Sequence, residues 1–192
     1  NIKGEKIFLK PGKWTLDKPL IIPAQKELIA NKGFKLTLKR DGLIYSKSPI
    51  KFIGSESNPI EINGSNQNNG LIVVNAKKLS ELSYVHFNNL SNLKQNNWEV
   101  PGSVSFYQSP VKINNSIFNG AKSEDSLNIV RTTFEIKDTS FIDSASDAID
   151  IDFSDGTMKN VNIDNSGNDG LDISGSNLEV SRLKIQSTAD KS

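Results

Sequence analysis

Residues 146–156 read SDAIDIDFSDG and set four aspartates, Asp147, Asp150, Asp152 and Asp155, among alanine, isoleucine and phenylalanine. A weaker copy, NDGLDISGS, brings Asp169 and Asp172 22 positions after Asp147 and Asp150. Clustered carboxylates support three kinds of chemistry. One acts as general acid beside a base or nucleophile at a glycosidic bond. Several together hold a hard divalent cation, most naturally Ca²⁺, which takes about six to eight oxygens. Failing both, they are solvated or cap the backbone of turns. Asp150, Asp152 and Asp172 stand mid-strand, where aspartate has little intrinsic preference, and are the catalytic candidates. Asp147, Asp150, Asp169 and Asp172 are the candidate metal ligands, with turn capping the competing role for Asp147 and Asp169. Asp155, followed by glycine, reads as a turn residue.

The chain has no cysteine and one histidine, His86. That excludes a thiolate nucleophile, a disulfide framework and a zinc site built on several nitrogen or sulfur ligands. Asn128, Tyr107, His86 and Trp98 are the candidates for contacting a substrate. The competing readings are an ordinary surface histidine and, for Trp98, a lid packed onto the fold.

What positions the acids is a repeat. SLNIV (126–130), AIDID (148–152) and GLDIS (170–174) recur at steps of 22, and SVSFY (103–107) precedes them by 23. One column then holds Val104, Leu127, Ile149 and Leu171, another Phe106, Ile129, Ile151 and Ile173, and between them lie Ser105, Asn128, Asp150 and Asp172. Two further families of short apolar segments run through the same units, for example FEI at 134 and KDTSF at 137–141. Period-two alternation makes these strands, and no segment has a 3.6-residue apolar stripe long enough for a crossover helix. Short strands without helices pair in parallel if the chain coils, each rung lying on the last. The expectation is an all-β, single-stranded right-handed parallel β-helix with rungs of about 22 residues. A β-sandwich is the rival, but it has no need of the same column chemistry every 22 residues. The 22 asparagines and 13 glycines suit its corners.

On this register Ile149, Ile151 and Phe153 point inward, while Ala148, Asp150 and Asp152 point outward. Asp172 then lies directly above Asp150 at about 4.8 Å, whereas Asp150 and Asp152 are about 6.6 Å apart along the strand. The stacked pair falls near the carboxyl separation of retaining glycosidases, and the in-strand pair near that of inverting ones.

The first hundred residues repeat less regularly. Residues 1–30 read as an N-terminal cap, 31–87 as irregular rungs, 88–102 as an outward loop and 103–192 as regular rungs, all in a single domain. The absence of an initiating methionine and the abrupt end at ADKS suggest a trimmed chain, with further rungs or another domain beyond Ser192. The net charge of +1 conceals a gradient: residues 1–100 carry 15 basic and 8 acidic residues, residues 101–192 carry 8 and 14. The acidic half lacks the basic, aromatic-lined face that nucleic acid requires, and no apolar run reaches the roughly 18 residues of a membrane span.

The stretch GKWTLDKPLIIPAQKELIA, followed by DSLNI, SDAIDIDFSDG and GNDGLDISGS, resembles the right-handed parallel β-helix family of carbohydrate-binding and sugar-hydrolysing repeats, which includes pectate-lyase-like and alginate-epimerase-like proteins. The resemblance spans the chain in pattern and carries architecture more than activity. Polygalacturonase-type members use three aspartates on neighbouring rungs, a pattern SDAIDID and NDGLD match loosely. The lyase pattern, a basic residue beside calcium carboxylates, has no counterpart, with Arg131, Lys159, Arg182 and Lys184 as the basic residues nearby. What the resemblance implies is a secreted or cell-envelope protein that binds or processes a polysaccharide or cell-surface glycan, by hydrolysis or elimination. The alternative is a non-catalytic spacer or adhesin, stabilised by Ca²⁺ or by stacked asparagine and aspartate.

Overall fold

The computed structural model describes residues 2–65, 68–95 and 98–189, with Lys94, Gln95 and Trp98 described by backbone alone. The chain forms a right-handed parallel β-helix with rungs of about 22 residues in its regular part. Three strips of strands run along it. Strip one is a seven-stranded parallel sheet of Leu20–Ile22, Ile44–Ser46, Leu71–Val74, Gly102–Tyr107, Asp125–Val130, Asp147–Asp152 and Leu171–Ser174. Strip two begins with Lys6–Leu9 and Glu27–Asn31, and strip three with Gly12–Leu16 and Phe34–Leu38. In the last rungs strips two and three fuse into bent strands of 12 residues, Thr133–Ser144, Asp155–Ser166 and Asn177–Thr188. None of the described residues forms a helix long and apolar enough to cross a membrane.

Strand alternation fills the interior. In Phe34–Leu38 the first, third and fifth residues are buried and the two between are half-buried, and Ile50–Ile53 and Ile60–Gly64 start the same way. In-register pairing then stacks like on like. Phe87, Phe118 and Phe141 occupy one column, with ring centroids 4.9 and 4.6 Å apart. Such contacts add about 0.5–1.5 kcal/mol each beyond the area they bury. Outside, strip two pairs Lys51 with Glu81 and Lys112 with Glu135, each at 2.9 Å.

Corners rest on single residues with left-handed backbone. One column is Asn75, Gln108, Arg131, Phe153 and Gly175, another Tyr84, Asn115, Asp138, Asn160 and Arg182, and a third Asn89, Gly120, Asp143, Asn165 and Ser187. Left-handed geometry reverses the direction of the chain without a long loop, and asparagine and aspartate tolerate it best after glycine. Their side chains bond along the axis: Asn160 donates to Asp138 and Asn165 to Asp143, each at 2.6 Å. A hydroxyl residue follows several of these corners. Ser154 Oγ donates to the Asp152 carbonyl and accepts the Thr132 amide of the rung before; Ser109, two rungs earlier in the same column, and Ser116, in the second column, do the same. Amides that the parallel ladder leaves unpaired are thereby satisfied.

Two inward–outward assignments from the alternation are overturned. Ala148 is fully buried within the core cluster instead of pointing outward. Phe153 is 60% exposed, not inward. Its left-handed backbone (φ 48°) ends the alternation at the corner and turns the ring out, against Arg131, whose guanidinium carbon lies 5.4 Å from the ring centre.

Residues 6–22 already pair in parallel with the next rung, while Ile2–Lys3 folds back antiparallel on Lys6–Ile7. The segment between strips three and one at 89–101 contains an antiparallel hairpin, Leu93–Gln95 with Trp98–Val100. Leu93 and Val100 pack with Leu43 and Ile72 on the outer side of strip one, forming a second small core. Phe118→Ala should lower the unfolding free energy by about 3–5 kcal/mol in a urea titration, because the cavity lies mid-stack. Lys112→Ala, which breaks an exposed ion pair, should cost less than about 1 kcal/mol.

Candidate functional site

Past the hairpin, the outer side of strip one carries the acids. Ser105, Asn128, Asp150 and Asp172 stand in register on four successive rungs. The column on one side holds Tyr107, Val130, Asp152 and Ser174, and that on the other holds Gly102, Asp125 and Asp147. Gly102 brings its backbone down onto this surface: a Cβ there would lie 2.5 Å from Ser105 Oγ and 2.7 Å from Asn128 Cβ. That approach buries Asn128 and Ser105 although both face outward from the core.

Asp150 accepts a 2.7 Å hydrogen bond from Asn128 Nδ2. Burial, then the neighbouring carboxylates of Asp152 and Asp172, push its carboxyl up to about 7, against the opposing pull of the Asn128 bond. At neutral pH Asp150 therefore divides between acid and carboxylate, the condition that suits a proton donor. Asp125 lies one rung below Asp147, is 2% exposed, and its Oδ2 has no hydrogen-bond partner among the described residues. Burial first, and then Asp150, Glu124, Asp147 and Asp152, push it up to about 8, so it is mostly protonated at neutrality.

Asp147 is held from above. Its Oδ1 accepts the Asn168 side-chain amide at 2.7 Å and the Asp169 backbone amide at 2.9 Å. One carboxylate oxygen from each of Asp147, Asp169 and Asp172 lies within 4.8 Å of the others. Three such oxygens could coordinate a divalent ion, with water or carbonyls completing the shell. Asp150, expected as a fourth ligand, is outside this trio and bonds to Asn128 instead.

The remaining candidates divide. Tyr107 is on the column of Asp152, two rungs away and 41% exposed. His86 is on strip three, paired with Glu61 and Ile117, so it does not join the acids. Burial, with Lys35, draws its imidazole below the usual range against the pull of Glu61. The side chain of Trp98 lies outside the described residues. The structure adds two groups to this face. Asp125 directly precedes SLNIV and pairs in register with Gly102 on one side and Asp147 on the other, and it is buried there. Phe153 follows Asp152 at the corner, and a Cβ on Gly175 would meet its ring at 2.7 Å, so the glycine leaves room for the ring in that position.

Asp125 and Asp150 set a pH dependence. Their folded values lie above the ordinary carboxylate value of 3.8, so between about pH 4 and pH 8 the folded chain binds more protons than the unfolded one. Their stabilising contribution is complete below that window and lost as pH rises through about 7 to 8. The melting temperature should fall between about pH 5 and pH 8.5, and Asp125→Asn should flatten that slope in a thermal-shift series. Comparison with known proteins adds no name to this site: no family model, no curated protein and no solved structure matches the chain.

Proposed function

We propose that the outer side of strip one across residues 125–130, 147–152 and 171–174 binds a polysaccharide and cleaves its glycosidic bonds. Asp150 is the proton donor to the departing glycosidic oxygen, Asn128 orients its carboxyl, and Asp152 or Asp172 serves as the ionised partner that activates water or attacks the sugar. The observation that carries this is the coexistence, on one face, of a carboxyl held up to about 7 and carboxylates beside it. Environments that separate the ionisation of neighbouring acids assign the donor and acceptor roles in glycoside hydrolysis. Tyr107 and the exposed ring of Phe153 flank Asp152 along the strip and the corner, and offer flat apolar surface to a sugar ring. On this reading the substrate is a glycan outside the cell or in its envelope.

A specific observation favours a second reading. The trio of Asp147, Asp169 and Asp172 fits a bound Ca²⁺ that would stiffen the regular rungs of a non-catalytic spacer or adhesin. The two readings separate cleanly. Release of reducing ends should be measured over a panel of neutral and acidic polysaccharides, with and without a chelator. The proposal expects turnover with at least one of them, falling by about 10²–10⁴ in Asp150→Asn while the melting temperature stays within a few degrees. The spacer reading expects no turnover and a melting temperature that falls on chelation and is restored by Ca²⁺.

A further inference from the structure

From the first three rungs we infer that the protein has a second binding site, a basic cleft that takes a polyanionic glycan, separate from the carboxylate face. The cleft has a volume of about 820 Å³ and lies where the chain passes from strip one to strip two, built from the turns at 24–27, 47–49 and 75–79 with residues 5 and 6 at its edge. Three successive turns contribute Lys26, Lys47, and Lys77 with Lys78 to its lining, beside Lys6, Glu5 and Glu27.

On strips two and three several lysines face glutamates across adjacent strands, although Lys13 stacks on Lys35 and Lys137 on Lys159. Lys51 faces Glu81, Lys112 faces Glu135 and Lys35 faces Glu61 across adjacent strands. In the cleft only Lys6 has such a partner, Glu27 at 3.8 Å. Lys26 Nζ donates to the Gly4 carbonyl at 3.5 Å, and Lys47, Lys77 and Lys78 have no ion-pair partner among the described residues. Five lysines against Glu5 and Glu27 leave the lining with an excess of positive charge, and a bound polyanion relieves the repulsion among them.

The walls are held rather than loose. Ser48 Oγ donates to the Pro23 carbonyl at 2.6 Å and accepts the Lys26 amide at 2.8 Å, stapling the turn of one rung to the next. Gln25 and Asn75 take left-handed backbone at these turns. The floor is apolar, with Ala24, Pro49 and a Leu79 that is 51% exposed. Lysines from three successive turns, together with apolar lining, suit a linear chain that alternates sugar-ring faces with carboxylate or sulfate groups. No aromatic residue or arginine lines the cleft, so the stacking surface that single-stranded nucleic acid needs is missing.

The site is tested apart from catalysis by affinity electrophoresis of the whole chain through gels containing dextran, carboxymethyl-dextran, dextran sulfate or a single-stranded oligonucleotide. The expected result is retardation by one or both charged dextrans, none by dextran, and weakening as salt rises. The double variant Lys77→Glu with Lys78→Glu should lose binding by at least about tenfold, while Lys184→Glu on strip three, which reverses a charge at a distance, should not. Asp150→Asn should bind like the parent, so loss of turnover on the carboxylate face and loss of binding here are read separately. No retardation by either charged dextran, equal weakening in Lys184→Glu, or tighter binding of the oligonucleotide would overturn the inference.

Discussion

No single rung of this chain can bury its own apolar side chains, so every rung depends on the one beneath it and must place its residues in register with that neighbour. In-register stacking sets like over like. For phenylalanine that is favourable, and the Phe87–Phe118–Phe141 column gains from it. For the Asn–Asp corner columns it is favourable because an amide donates to a carboxylate. On strip two the sequence alternates lysine with glutamate and converts repulsion into pairs worth about 0.2–1 kcal/mol each.

Strip one is the exception, and its chemistry follows from that. Asp150 lies in register with Asp172 and beside Asp152, and Asp125 in register with Asp147. No cationic side chain opposes them on that strip. Burial first, and then the neighbouring carboxylates, favour proton retention: Asp125 and Asp150 hold protons to about 8 and about 7. Asp147, which instead receives amides from the following turn, is free to act with Asp169 and Asp172 toward a cation. One face therefore carries both a carboxyl that holds its proton to about 7 and three carboxylates close enough together that they could hold a divalent ion. The cleft at the turns 24–27, 47–49 and 75–79 carries an excess of the opposite sign, five lysines against Glu5 and Glu27.

Much of this was legible in the residues. The 22-residue steps from Leu127 to Ile149 to Leu171 fixed the register, and with it the adjacency of Asn128, Asp150 and Asp172. What escaped was whatever depends on chain that leaves the repeat. Phe153 was read as inward because alternation extends through Asp152, and only its left-handed backbone shows where alternation stops. Asp125 and Asn128 are buried where Gly102 pairs with the one and packs against the other, and Gly102 comes from the hairpin outside the regular repeat. In the first half, the steps along strip one are 24, 27 and 33 residues (Leu20 to Ile44, Leu71 and Val104), so column chemistry could not be aligned by eye and the gathering of Lys47, Lys77 and Lys78 stayed hidden.

The most direct test is the ionisation of Asp150 itself, followed by carboxyl-carbon NMR with the Asp150→Asn variant to assign the signal. Stacked, half-buried carboxylates require a midpoint near 7 that falls toward the ordinary carboxylate range when Asp152 and Asp172 are both replaced by asparagine. A midpoint close to 4 in the parent protein, unmoved by those replacements, would mean that the rungs do not bring these acids together and that the face has no proton to give.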